Sequence, residues 1–365
     1  MSTSHRFSGR LGLQQRVLPD YRAPFFDRLA EACTAGLSVF AGLPGPEEGI
    51  RPAERLEVAE HRLARNLWLG GGLARLNLQL GIQSWLREWD PAVLILEANP
   101  RYLSNRTALG WMHARRRPVL GWGLGAPPLS WPGDGIRRGF LSRFDALIAY
   151  SSLGAEQYRR QGLAAERVFV APNAVSGPPP PLPARKQEAA GPVRILFVGR
   201  LQARKRVDLL LLACAALSAP PELQIVGDGP ERVALERLAQ QAFPHAQFLG
   251  ERRGKELEAL FRQADLFVLP GTGGLAVQQA MSHGLAVVVA EADGTQRELV
   301  RPGNGWLVVP GDLPGLIEAL QRALADPARL RQMGEASHRI AVEEVNTEVM
   351  LRVFLQALEA VTGEA

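Results

Sequence analysis

Cysteine, lysine and long apolar runs are what this sequence has least of, and each scarcity removes a class of function. Two cysteines in 365 residues, Cys33 and Cys214, stand far apart among alanines and leucines. They offer neither a disulfide framework nor a thiolate metal site, and read as small buried hydrophobes. No apolar run reaches the roughly eighteen to twenty uncharged residues that cross a bilayer, and Met1 to Gly12 has no apolar centre like that of a signal peptide. The expectation is a cytoplasmic protein. The net charge of +5 comes without a dense basic tract interleaved with aromatics, which argues against nucleic acid as a partner. Phosphorylated ligands or the anionic inner face of a membrane account for it equally well. Lysine is nearly absent: Lys186, Lys205 and Lys255 are the only ones in an arginine-dominated chain.

What is present is an ordinary globular composition, 46% hydrophobic, in a chain long enough for two full cores. Short apolar runs alternate with helix-like stretches from end to end, the rhythm of βαβ units with parallel sheets. In the first half the expected strands are Leu11 to Arg16, Leu37 to Ala41, Ala92 to Glu97, Pro118 to Trp122, Ala146 to Tyr150 and Val168 to Ala171. In the second they are Ile195 to Val198, Leu223 to Val226, Gln247 to Leu249, Leu266 to Leu269, Ala286 to Val289 and Trp306 to Val308. Between the halves, Gly177 is followed by four prolines, Pro178 to Pro181, which cannot continue a helix or a central strand. The reading is an α/β chain of two Rossmann-like domains, 1–173 and 194–345, joined by a Pro-rich linker at 174–193. Their sheets are expected to face each other across a cleft, with the last helix, 346–365, packing back on the first domain. The stretch Arg51 to Leu86 breaks the rhythm and is read as a loop plus a core helix, with a basic amphipathic patch touching lipid as the alternative.

The most informative stretch is Arg194-Ile195-Leu196-Phe197-Val198-Gly199-Arg200-Leu201, with Lys205 shortly after. A buried parallel strand runs into a glycine turn at its carboxyl end, where open α/β sheets bind ligands, and two cations follow. The pattern suits phosphate, although solvated loop charges would look the same in so short a motif.

In order and spacing the second half resembles the nucleotide-sugar-binding domain of GT-B retaining glycosyltransferases, in particular family 4 and its glycogen-synthase-like relatives. The residues that carry the resemblance are Gly199-Arg200-Leu201 with Lys205, Ile225 to Pro230, Phe248-Leu249-Gly250, Phe267 to Pro270, Gly274-Leu275, Ala280-Met281, Gly284, Gly294 to Glu298 and Gly303-Asn304-Gly305. The resemblance implies that Arg200 and Lys205 bind the donor diphosphate and stabilise the charge growing on it as the sugar leaves. It calls for no metal and no resident cofactor, the nucleotide-diphosphate sugar being a co-substrate. It also places Gly199, Gly227, Phe248 and Leu249 on the donor side, the last two where relatives recognise the base through main-chain groups. For Gly227-Asp228-Gly229 a purely structural turn is at least as good a reading.

One feature of the family pattern is missing. Two glutamates eight positions apart are expected around Gly-Leu, and here Gly271 and Gln279 stand in their places. Gln279 retains hydrogen-bonding capacity toward a ribose, whereas Gly271 replaces no carboxylate. In one reading Gly271-Thr272-Gly273-Gly274-Leu275 is a glycine-rich turn that opens a helix and holds phosphate on its N–H groups, and catalysis survives. In the other the chain is a non-catalytic relative; intact Arg200 and Lys205 favour the first. His283 reads as a helix-end residue and Glu298 as part of a short helix.

The first half resembles the more variable acceptor domain. Glu97, Asn99 and Arg101 follow a buried strand directly, Asn105 opens the next helix, and Arg16, Tyr21 and Arg22 follow the first strand. These are the acceptor candidates. The cleft histidine that family members often carry in this half has no counterpart in Gly121 to Gly125. The expected function is sugar transfer, with retention of configuration, to a glycan, lipid-linked or small-molecule acceptor. A silent nucleotide-sugar-binding subunit and a nucleotide-sugar epimerase are the alternatives.

Overall fold

The computed structural model of the chain describes residues 6–45, 48–71, 75–126, 133–183 and 191–363. Lys186 and residues 184–190 of the expected linker lie outside them. The chain divides into two units, Met1–Ser176 with Thr347–Ala365, and Gly177–Asn346.

The first unit is built on an eight-stranded sheet. Its strands are β1 (Leu11–Val17), β2 (Leu37–Gly42), β3 (Glu60–Leu69), β4 (Leu76–Leu80), β5 (Val93–Glu97), β6 (Val119–Gly123), β7 (Ala146–Ala149) and β8 (Val168–Val170), in the spatial order β4-β3-β2-β1-β5-β6-β7-β8. All neighbours pair in parallel except β3 and β4, which are antiparallel. The central strands are buried on both faces, which is why they read as unbroken apolar runs. On one face pack the helices Ala23–Glu31 and Thr347–Thr362, where the Phe354 ring meets Phe25 at 5.0 Å and Trp122 at 5.1 Å. On the other, Trp85 of helix Ile82–Trp89 stacks on Phe40 at 5.1 Å and donates to the Ser38 hydroxyl.

The stretch Arg51 to Leu86 departs from its expected form. It holds an antiparallel ribbon, β3 with β4, ahead of the helix, and not a loop plus helix alone. The physical reason lies in the period: Leu76, Leu78 and Leu80 alternate with buried Asn77 and Gln79, which is strand spacing and not the 3.6-residue spacing of a helix.

The second unit is a six-stranded parallel sheet of β9 (Arg194–Val198), β10 (Glu222–Val226), β11 (Gln247–Gly250), β12 (Leu266–Leu269), β13 (Ala286–Ala290) and β14 (Gly305–Val308), ordered β11-β10-β9-β12-β13-β14. Helices flank it, and Asp312 and Asp326 each begin one by accepting from the N–H of Gly315 and Arg329. Both sheets reverse the direction in which strands are added at one point: between β1 and β5 in the first unit, and between β9 and β12 in the second. At such points loops from adjacent strands diverge at the carboxyl edge and open a crevice.

Candidate functional site

At the reversal in the second unit two loops close on each other. After β9 the chain passes Gly199 and the exposed Arg200 into a short 3-10 turn, Ala203–Lys205. After β12 it runs through Gly271 to Gly274 into the helix Leu275–Ser282. The Lys205 Nζ donates to the carbonyl of Thr272 at 2.7 Å, the Thr272 N–H donates to the carbonyl of Arg204 at 3.0 Å, and the Arg204 guanidinium reaches the Thr272 hydroxyl at 3.1 Å. Burial, and then the neighbouring Arg204 charge, push the Lys205 ammonium down to about 8. Among the described residues no carboxylate pairs with it, so a desolvated cation is held by one carbonyl beside a helix N-terminus.

The glycines here are steric requirements. A Cβ at Gly271 would lie 2.3 Å from the Arg204 carbonyl oxygen and 2.4 Å from the Lys205 carbonyl carbon. One at Gly273, whose φ is +145°, would lie 2.5 Å from the Lys205 Nζ. Backbone therefore fills the space into which a side chain at Gly271 would project, and any residue larger than glycine there requires the Arg204–Lys205 segment to shift. Gly227 likewise abuts Gly199, where an added Cβ would be 2.0 Å from its carbonyl oxygen, and the Leu201 N–H donates to the carbonyl of Asp228. The Gly227-Asp228-Gly229 turn thus buttresses the Gly199-Arg200-Leu201 loop. Phe248 and Leu249 pack partly buried against the core, and Leu275 opens its helix half-buried. Gln279 is exposed. His283 stacks on Phe261 and meets the Gln279 carbonyl through Nδ1 at 2.8 Å, a helix-end contact. Gln296, not singled out in the sequence, donates to the Gly273 carbonyl at 3.0 Å and steadies the loop from the far side.

The reversal in the first unit is occupied by a carboxylate. Glu97 closes β5, and its Oε2 accepts from the Arg16 N–H at the end of β1 at 2.9 Å. Desolvation pushes Glu97 up to about 7, against the lowering effect of that hydrogen bond and of the Arg16 and Arg22 charges. Around it Gln14 accepts from the Glu97 N–H at 3.2 Å, the Asn105 side chain donates to the Glu97 carbonyl at 2.8 Å, and Gln79 bridges Gln14 to the backbone of Gln15 and Arg16. Arg16 pairs with Glu48 at 2.8 Å and lies over the Trp68 ring.

The other acceptor candidates divide. Arg22 is buried, bonded to Asn173, with its guanidinium 4.7 Å from the centre of Trp122 and 5.6 Å from that of Tyr150. Burial raises the Tyr150 hydroxyl above its usual range, the charges of Arg22 and Glu97 acting after it in opposite senses. Tyr21 and Arg101 are exposed, and Asn99 accepts from the Arg101 N–H at 3.1 Å. The structure thus gathers Arg16, Arg22 and Glu97 into one electrostatic cluster and leaves Asn99 and Arg101 at its rim. Gln14, Gln79 and Tyr150 escaped the sequence reading. Two glutamines inside the apolar run Leu11 to Val17 were the available signal, since a central strand buries a polar side chain only where it is bonded.

Comparison with known proteins bears on the second unit first. Residues 182–339 match the family described as glycosyl transferases group 1. A GDP-mannose-dependent alpha-mannosyltransferase of Mycolicibacterium smegmatis is 40% identical over 149 residues, 39% of this chain; the aligned stretch spans only 37% of that protein's own length. A glycogen synthase of Mycobacterium tuberculosis is 26% identical over 92% of this chain and 83% of its own. The solved structure of Anabaena HepE in complex with UDP superposes with a TM-score of 0.71 at 17% identity, covering 96% of this chain and 99% of that one. That likeness establishes the fold, an α/β chain of two parallel-sheet domains as in GT-B glycosyltransferases. The match to the group 1 glycosyl transferases thus takes in nearly the whole unit in which β9 and β12 bring Lys205 against Thr272.

Proposed function

We propose that the chain is a retaining, metal-independent glycosyltransferase of the family 4 type. It takes a sugar from a nucleotide-diphosphate donor and passes it to a glycan, lipid-linked or small-molecule acceptor. The observation that carries this reading is the desolvated Lys205 ammonium, held by the Thr272 carbonyl beside the N-terminus of helix Leu275–Ser282. A diphosphate oxygen takes over that ammonium as a stronger, charged partner, and the helix's first-turn N–H groups face the same anion. Arg200, exposed on the loop after β9, adds a second cation. These charges are in place before the sugar–phosphate bond breaks, so the phosphate charge that develops is stabilised without reorganisation.

Gly271 shapes the route. Backbone fills the space beside it, so no nucleophilic carboxylate comes from that position, and the donor's own phosphate is left to accept the proton of an acceptor attacking the same face. On the acceptor side Glu97, poised near neutral pH, hydrogen-bonds an acceptor hydroxyl in either protonation state, with Arg16, Tyr21, Arg22, Asn99 and Arg101 around it.

Incubation with a panel of nucleotide-diphosphate sugars tests the reading. Transfer to an acceptor, or slow donor hydrolysis with retention at the anomeric carbon, is the expected result. Isomerised donor, or binding with no turnover on any donor, would replace it with the epimerase or the silent subunit.

A further inference from the structure

The ribbon of β3 and β4 is built inside out. Its cross-strand pairs are Arg65 with Leu80, Asn66 with Gln79, Leu67 with Leu78, Trp68 with Asn77, and Leu69 with Leu76. Because side chains alternate, Asn66, Trp68, Asn77 and Gln79 share one face and Leu63, Leu67, Leu69, Leu76, Leu78 and Leu80 the other. The polar face is the buried one: Asn77 is 0% and Gln79 2% exposed, and the Asn66 and Gln79 amides donate to the carbonyl of Arg16. The leucine face is the more open one, with Leu63 59%, Leu69 46% and Leu80 41% exposed and Leu67, Leu76 and Leu78 half-buried between them. Among the described residues none of the six leucines joins a hydrophobic core of the unit.

A contiguous apolar face on a ribbon with buried amides is opposite to the pattern water selects, and such patches mark interaction surfaces. Two observations identify the occupant. The outer edge of β4 is already used, with the Asn77 N–H donating to Arg101 and the Gln79 N–H to the Ser104 hydroxyl, so a second copy cannot extend the sheet there. Among the described residues of the two strands the leucine face also carries one charge, Arg65, and no carboxylate; Glu60 and Arg62 alternate onto the other face, where Arg62 pairs with Glu88. An apolar surface with a single embedded cation, on a chain of net charge +5, matches an anionic lipid interface.

We infer that the leucine face of the β3–β4 ribbon docks on an anionic membrane surface. Docking brings the bilayer against the ribbon whose buried face is hydrogen-bonded to the end of β1, next to Arg16 and Glu97.

Co-sedimentation of the full chain with vesicles, requiring neither donor nor acceptor, tests this independently of the transfer reaction. The chain should pellet with vesicles containing phosphatidylglycerol and far less with phosphatidylcholine alone. Replacing Leu63, Leu69 and Leu80 together by Gln should weaken that binding at least about tenfold, from the apolar area lost. Arg65→Glu, a change on an exposed side chain that keeps the fold, should weaken it severalfold and reduce its sensitivity to salt. Both variants should bind UDP as the unaltered chain does. Absence of the chain from anionic pellets, or equal pelleting of Arg65→Glu and the leucine variant with the unaltered chain, would overturn the inference. A dimer in sedimentation velocity that the leucine changes dissolve would overturn it too, by giving the face to a second copy.

Discussion

In the first unit the gap between β1 and β5 holds Glu97, whose carboxyl is pushed up to about 7; in the second the gap between β9 and β12 holds Lys205, whose ammonium is pushed down to about 8. The topological address is the same and the sign of the charge is opposite. In each case burial is the leading cause and outweighs the partners at hand: Glu97 has the Arg16 N–H and the nearby charges of Arg16 and Arg22, and Lys205 has, among the described residues, one backbone carbonyl from Thr272. A charge kept out of water with an incomplete partner set is poised to gain a partner from a ligand. In the function proposed above, the difference sorts the ligands by sign, a polyanion for the second unit and a hydroxyl donor for the first.

The comparison breaks most severely at the lysine. Lys205→Ala should weaken nucleoside diphosphate about 100-fold, close to 2.7 kcal/mol, while leaving the nucleoside almost unaffected. Calorimetric titration of the two ligands checks this, and equal losses for both would mean that the residue holds the loop and not the phosphate.

Gly271→Ala sharpens it in the other direction. An added Cβ 2.3 Å from the Arg204 carbonyl oxygen must displace the turn that presents Lys205. It should cost about 1–3 kcal/mol in denaturant unfolding, with diphosphate affinity lowered as well. Gly271→Glu should do no better, since its Cβ meets the same backbone.

Glu97→Gln tests the first unit. A carboxyl whose folded value lies above its unfolded one favours the native state in its protonated form, so that contribution is complete below about 4.5 and is lost as the pH rises through about 7. The unaltered chain should lose about 3 kcal/mol across that window relative to the Gln variant, which keeps an acceptor for the Arg16 N–H. Parallel stability profiles for the two proteins would show that Glu97 is ionised throughout.

Arg200→Ala is the smallest of the series, with an expected loss of about tenfold in diphosphate affinity, because an exposed cation is screened by water and salt.

Much of the fold was legible because parallel central strands are nearly continuous apolar runs, and Leu11, Ile195 or Ala286 sit where such runs begin. The β3–β4 ribbon was not, because there the usual assignment of apolar residues to the inside is reversed, and Leu76 to Leu80 read as a packed stripe when the amides between them were the buried residues. In the second unit Gly199, Lys205 and Gly271 were legible as parts of two ligand-binding turns, but not as turns that touch. That backbone contact leaves no room for a side chain at Gly271 depends on spacings between residues about seventy positions apart, which no local pattern encodes. Arg22 was legible as a cation near a strand end; its burial between Trp122 and Tyr150 is a tertiary fact.

The central claim is that the desolvated Lys205 ammonium receives the donor's diphosphate. Its most direct test is nucleoside diphosphate affinity measured from about pH 7.5 to 9.5, above the phosphate's own titration. Affinity should fall progressively above about 8, approaching tenfold for each further pH unit, with proton uptake on binding, and Lys205→Met should show a weak and flat profile. A flat profile in the unaltered chain, matched in strength by Lys205→Met, would contradict the account.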